Sequence, residues 1–211
     1  MRFYGAIIVA FLVALAASPA SAQPIKIVAF GDSLIAGFGL KANESFPAQL
    51  ENALRKKGHN VEIVNAGVSG DTTSGGLSRL DWSVQDGTDA VIVVLGANDM
   101  LRGMEPEVAR KNLDQIVNRL KARKIEVILG GMRAAPNLGA DYAKKFDAIY
   151  ADLAKEHDIL IYPFFLDGVA GQRDLNLSDG IHPTQKGVSL VVERILPSIE
   201  SLIERVKKHR G

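Results

Sequence analysis

In "IVAFGDSLIAGFG" (residues 27–39) a serine follows an apolar run almost directly, set between Asp32 and Leu34 with glycines on both sides. Far along the chain, "DGIHP" places Asp179 three residues before His182. A hydroxyl is a weak nucleophile until a base takes its proton, a carboxylate orients that base, and fixed donors meet the developing oxyanion. Ser33, His182 and Asp179 are the residue types for the first three roles. A compact turn around Gly180 lets the carboxylate reach imidazole Nδ1 while Nε2 faces the serine. The glycine-rich "GVSGD" (67–71) and "LGAND" (95–99) offer backbone N–H groups and the Asn98 amide for the fourth role. Together these parts do acyl transfer.

Neighbouring residues have blander readings. Asp32 adjoins Ser33, but adjacent side chains diverge and a carboxylate of ordinary pKa accepts a serine proton poorly, so it is expected to organise the loop. Asp99 is read in the same way, as a structural cap of the segment that follows it. Ser69 sits in Gly67-Val68-Ser69-Gly70-Asp71, which lacks the last glycine of a G-x-S-x-G elbow. Gly37 to Ala42 fits G-x-G-x-x-A but begins several residues after the strand, whereas a dinucleotide fingerprint opens in the turn itself. His59, His157 and His209 stand near helix ends with no metal-ligand spacing and no carboxylate cluster in the sequence around them, and the chain has no cysteine. Neither a metal nor a cofactor is expected.

The elements that must position these residues alternate. Nearly continuous apolar runs at 25–30, 61–66, 90–95, 125–131 and 159–164 read as five strands covered on both faces. Helical patterns lie at about 45–57, 106–123, 139–156 and 184–208, with Pro106 suited to a first turn and Gly58 to a stop. The alternation predicts a parallel sheet between two helical layers, a three-layer α/β/α sandwich in one domain over 23–211. Ligands of such sheets bind beyond the carboxyl ends of the strands, where Ser33, Gly70, Asn98 and the Asp179–His182 turn all fall.

The first 22 residues, one arginine and then an uncharged apolar run ending Ala20-Ser21-Ala22, read as a secretory signal cleaved after Ala22. The run from Gly5 to Ala17 is shorter than the roughly 20 residues a membrane span needs, so no membrane anchor is expected after processing. Loss of Arg2 leaves as many basic as acidic residues, 24, which argues against nucleic acid or an anionic membrane surface as partner. The expected location is the periplasm or outside the cell. The basic end "VKKHRG" reads as a solvated last helical turn.

Four stretches, "FGDSL", "GVSGDTTSGGLSRL", "LGANDMLRG" and "DGIHP", resemble in order and spacing the four blocks of the GDSL, or SGNH, hydrolases. "APNLGADYAKKFDAIY" is similar to their exported arylesterase and thioesterase I (lysophospholipase) branch. The resemblance runs from about Ile25 to Gly187 and implies a flavodoxin-like fold with a five-stranded parallel sheet. It implies Ser33 as nucleophile, His182 as base and Asp179 as its orienter. The implied oxyanion hole is the N–H groups of Ser33 and Gly70 with the Asn98 amide. The implied substrate is a small ester or thioester, or a lysophospholipid, cleaved through an acyl-serine. Two alternatives stand beside this: a carbohydrate O-deacetylase on the same triad, and a non-catalytic binding domain. Apolar residues on the catalytic edge, Leu34, Phe38, Met132 and Leu138 among them, are expected to form an acyl groove. Trp82, the single tryptophan, lies away from these loops in sequence.

Overall fold

The five aliphatic runs form five parallel strands: β1 (Ile25–Gly31), β2 (Val61–Gly67), β3 (Ala90–Val94), β4 (Glu126–Gly130) and β5 (Leu160–Tyr162). The computed structural model describes Met1 and residues 23–210. The signal-peptide reading of residues 1–22 therefore lies outside the described residues, Met1 apart. Strand order is β2-β1-β3-β4-β5, with Ile27 beside Ile63 on one flank and beside Ala90 on the other. The chain thus reverses its direction of progress between β1 and β3. That is the topological switch point at which open α/β sheets hold ligands.

β1, β3 and β4 are buried almost throughout, but β2 and β5 are half-exposed. The expectation that all five strands are covered on both faces is corrected here. Edge strands have a neighbour on one flank only, and the helical layers do not reach fully around them.

α2 (Phe46–Lys56) and α7 (Gln185–Arg210) pack together on one face of the sheet; α3 (Thr73–Ser83), α5 (Pro106–Ala122) and α6 (Ala140–His157) cover the other. Each buries one stripe at helical spacing, as Leu113, Ile116, Val117 and Leu120 do in α5. Pro106 opens α5, and the left-handed Gly58 follows the end of α2.

Three helices were not expected from the sequence: α1 (Ser33–Ala36), α3 and α4 (Ala97–Leu101). α3 reads "TSGGLSRLDWS", whose paired glycines weaken helix propensity. Tertiary packing outweighs that cost. Thr72 Oγ1 accepts the Gly75 N–H at 3.3 Å, and a side chain at Gly76 would collide with Leu95, so glycine is what lets α3 settle on the sheet. The basic last turn of α7 is not simply solvated. Arg210 donates to Asp89 and to the Gln23 and Pro24 carbonyls, and His209 Nδ1 lies 2.9 Å from Glu126.

Candidate active site

β1 ends at Gly31, and the next two residues turn the chain into α1. The Asp32 carboxylate accepts the Leu34 N–H at 3.0 Å, while its carbonyl accepts those of Ile35 and Ala36. Asp32 is thereby the N-cap, and Ser33 stands at the start of the helix on the carboxyl edge of the sheet.

His182 arrives there on a tight turn beyond β5. The Leu177 N–H donates to the His182 carbonyl at 2.7 Å and the Gly180 N–H to the Leu177 carbonyl at 2.9 Å. Inside this turn Asp179 Oδ1 accepts the N–H groups of Ile181 and His182 at 2.9 and 3.0 Å. Its Oδ2 lies 2.7 Å from His182 Nδ1, and His182 Nε2 lies 2.9 Å from Ser33 Oγ. The His182 N–H, its imidazole and the Ile181 N–H hold the Asp179 carboxyl down to about 2. It is therefore an anion at neutral pH, fit to orient an imidazole and to balance its charge.

The donors expected to serve Ser33 lie beyond the β2 and β3 ends, and of these Asn98 lines the same groove as Ser33. Among the described residues, neither the Ser33 nor the Gly70 N–H meets an acceptor. Gly70 sits at φ +81°, and its carbonyl accepts from Arg102 at 2.8 Å. Asn98 Nδ2 donates to the Asp71 carbonyl at 2.9 Å and to Asp32 Oδ2 at 3.3 Å. Burial raises the Asp32 carboxyl to about 6, against the opposing pull of the Leu34 N–H and His182 and with support from Asp71 and Asp99.

An apolar groove of about 390 Å³ opens on Ser33, Asn98 and His182. Leu34 and Met132 line it, together with Leu101, Pro136, Phe164 and Leu166. Phe38 and Leu138 do not. Phe38 lies tilted against the His182 ring instead, and Leu138 ends a 3-10 turn that packs it against the core. Ile35, Phe165 and Val169 belong to the core as well. Trp82 is exposed on α3, away from the groove.

Two supporting residues were not fully legible. Arg79 donates through Nε to Asp71 at 2.7 Å, through Nη1 to the Ala66 carbonyl and Ser83 Oγ, and through Nη2 to the Gly31 carbonyl. It ties together the ends of β1 and β2 and the loop that carries Gly70; its place in "GGLSRLDW" announces none of this. Asp99, read as a cap of its own segment, instead accepts the Thr73 N–H and hydroxyl at 2.8 and 2.6 Å and so caps α3.

The histidines read as having no carboxylate cluster around them each gain a carboxylate partner from a distant segment, although Glu156 and Asp158 already flank His157 in the sequence. His59 pairs with Glu200, His157 with Asp114 and His209 with Glu126. Asp114, Glu156 and His157 form the one close grouping among the described residues able to offer three metal-type ligand atoms. Glu156 is also paired there with Arg110, which makes the group an α5–α6 ion-pair cluster at the end of α6, just before β5 begins.

The profile of the GDSL-like lipase/acylhydrolase family matches residues 29–190. The chain is 35% identical to esterase TesA of Pseudomonas aeruginosa over 87% of its own length and 91% of that protein. It is 36% identical to thioesterase 1/protease 1/lysophospholipase L1 of Escherichia coli K12, over 92% of this chain and 91% of that one. Its fold is similar to the crystal structure of AlinE4, an SGNH-hydrolase family esterase, with TM-score 0.73 and 48% identity, covering 86% of this chain and 98% of that chain.

Proposed function

The chain belongs to the GDSL-like lipase/acylhydrolase family, and from that premise we propose that it is an exported serine esterase working through an acyl-serine on Ser33. The single observation that carries the mechanism is the unbroken line from Ser33 Oγ to His182 at 2.9 Å and on to Asp179 at 2.7 Å, at the mouth of an apolar groove. Ser33 Oγ attacks the ester carbonyl carbon as its proton passes to His182 Nε2, and the imidazolium is balanced by Asp179. The tetrahedral oxyanion meets the unoccupied N–H groups of Ser33 and Gly70. Asn98 turns toward it the proton now shared with Asp32, the longer and weaker of its two bonds. Collapse expels the leaving group, which takes the proton from His182. Water, deprotonated by the same imidazole, then releases the acid and restores Ser33.

The groove supports an aliphatic or aromatic acyl chain over a sugar, because apart from Ser33, His182, Asp32, Asn98, Arg133 and Asn176 its walls are apolar. Acyl thioesters fit the same walls, as do lysophospholipids, the substrate class named for the E. coli relative. Residues 1–22 support export, and among the described residues no helix is long and apolar enough to cross a membrane.

The test is hydrolysis of an aryl ester by wild type and Ser33→Ala, with an organophosphonate as label. Loss of turnover by several orders of magnitude, and label on the Ser33 peptide only, is the expected result; wild-type turnover in Ser33→Ala would end the proposal. Recovery of a chain beginning at Gln23 from the periplasmic fraction is the matching result for export. A strict preference for acetylated polysaccharide would favour the deacetylase reading.

A further inference from the structure

We infer that Phe38 is a positioning residue for His182, a role that rests on the catalytic reading above. Its ring lies against the imidazole and stabilises the imidazolium formed when Ser33 gives up its proton. The two ring centroids are 4.4 Å apart with their planes 34° from parallel, so the π face of Phe38, not its edge, meets the histidine. Phe38 is also 48% exposed and outside the acyl groove. About half of its surface is therefore left open to solvent.

The backbone around it is costly to arrange and firmly braced. Gly37 and Gly39 flank it at φ +82° and +74°, conformations that other residues adopt with strain. A side chain at Gly37 would collide with Ser45, and one at Gly39 with Leu177. Leu177 is the residue whose N–H holds the His182 carbonyl. The phenylalanine loop and the histidine turn are thus wedged against each other, and the Gly37 and Phe38 N–H groups both donate to the Ser33 carbonyl.

A cation within about 6 Å of an aromatic centroid is attracted by the negative ring face. At a half-exposed site the attraction is modest, worth a few-fold in rate. The charged groups near His182 are Asp179 from its own turn, Asp32 beside Ser33 and Arg133 across the groove. All of them remain when Phe38 is replaced. A difference between wild type and variant therefore reports the ring.

The experiment compares Phe38→Leu, Phe38→Met and Phe38→Tyr with wild type, using kcat and KM for an aryl ester across pH and the ¹⁵N signals of the His182 imidazole. Leu and Met should each lower kcat about two- to fivefold with KM within about twofold. In both, the acid limb of kcat/KM and the imidazole titration should move to lower pH. Tyr, which keeps the ring face, should preserve all three. A rise in KM at unchanged kcat would make Phe38 a substrate contact and overturn the inference. So would an acid limb that stays in place or moves upward, the direction expected of a ring that merely excludes water. Ser33→Ala, run alongside, separates the two levels: its inactivity with an unchanged Phe38→Leu profile sinks this inference alone, and its activity sinks the catalytic reading.

Discussion

Asp32 Oδ2 accepts a hydrogen bond from the Asn98 amide at 3.3 Å, joining the residue that follows β1 to the first turn beyond β3. The bond spans the switch point of the sheet and holds Asn98 beside Ser33 before any substrate arrives. It is long, and the amide can leave it for a better acceptor. Asn98→Ala should therefore lower kcat about 10²- to 10³-fold with little change in KM, since the lost donor acts on charge present only in the transition state. Steady-state kinetics on an aryl ester decides it; a rise in KM alone would make Asn98 a substrate-binding residue.

Burial of Asp32 has a thermodynamic signature. Its carboxyl titrates at about 6 in the folded protein against 3.8 for the free group, with desolvation the largest cause. Between those pH values the folded state holds a proton that the unfolded chain has lost. The contribution of Asp32 to stability is thus complete below pH 3.8, declines as pH rises to 6 and is flat above, a loss of about 3 kcal/mol. Asp32→Asn removes that dependence. Urea midpoints should show the variant gaining on wild type from pH 4 to pH 7, and a pH-independent difference would contradict the assignment.

Arg79 should matter to the fold before it matters to chemistry. Its guanidinium donates to Asp71, Ser83 and the carbonyls of Gly31 and Ala66. Arg79→Ala leaves a largely buried Asp71 carboxylate without its cation, a change worth about 3 kcal/mol of stability. Chemical denaturation measures it, and a loss below about 0.5 kcal/mol would mean that water replaces the guanidinium without penalty.

Acyl-chain preference follows from the groove walls. Butanoyl to octanoyl esters should exceed acetyl esters in kcat/KM, by a few-fold per carbon until the groove is filled, because each buried methylene is worth up to about 0.8 kcal/mol. Leu166→Ala or Phe164→Ala should flatten the series, and Leu138→Ala should leave it intact, since only the first two line the groove. A flat wild-type series would remove the acyl groove from the account.

Much of this arrangement was legible in advance because the catalytic edge of a parallel sheet is addressed by sequence position. The apolar runs fixed where β1 and β3 end, and Ser33 and Asn98 follow from that. What escaped depends on contacts between distant segments. α3 carries two glycines and a faint apolar stripe, so its helix is visible only once Thr72, Asp99 and Leu95 surround it. The carboxylate partner of His157 lies on another helix, 43 residues away. Phe38 and Leu138 were placed in the groove by their apolarity and proximity to the catalytic blocks. Which way a loop side chain points is set by its backbone: left-handed glycines turn Phe38 onto His182, and a 3-10 turn directs Leu138 inward.

Arg210, at the end of α7, holds the carbonyls of Gln23 and Pro24 just ahead of β1. Gln23 and Arg210 are therefore held together at the amino edge of the sheet, with the full length of the strands between them and Ser33. A label or solid support attached beside Arg210 would stand at the opposite edge from the groove, leaving its mouth open to solvent.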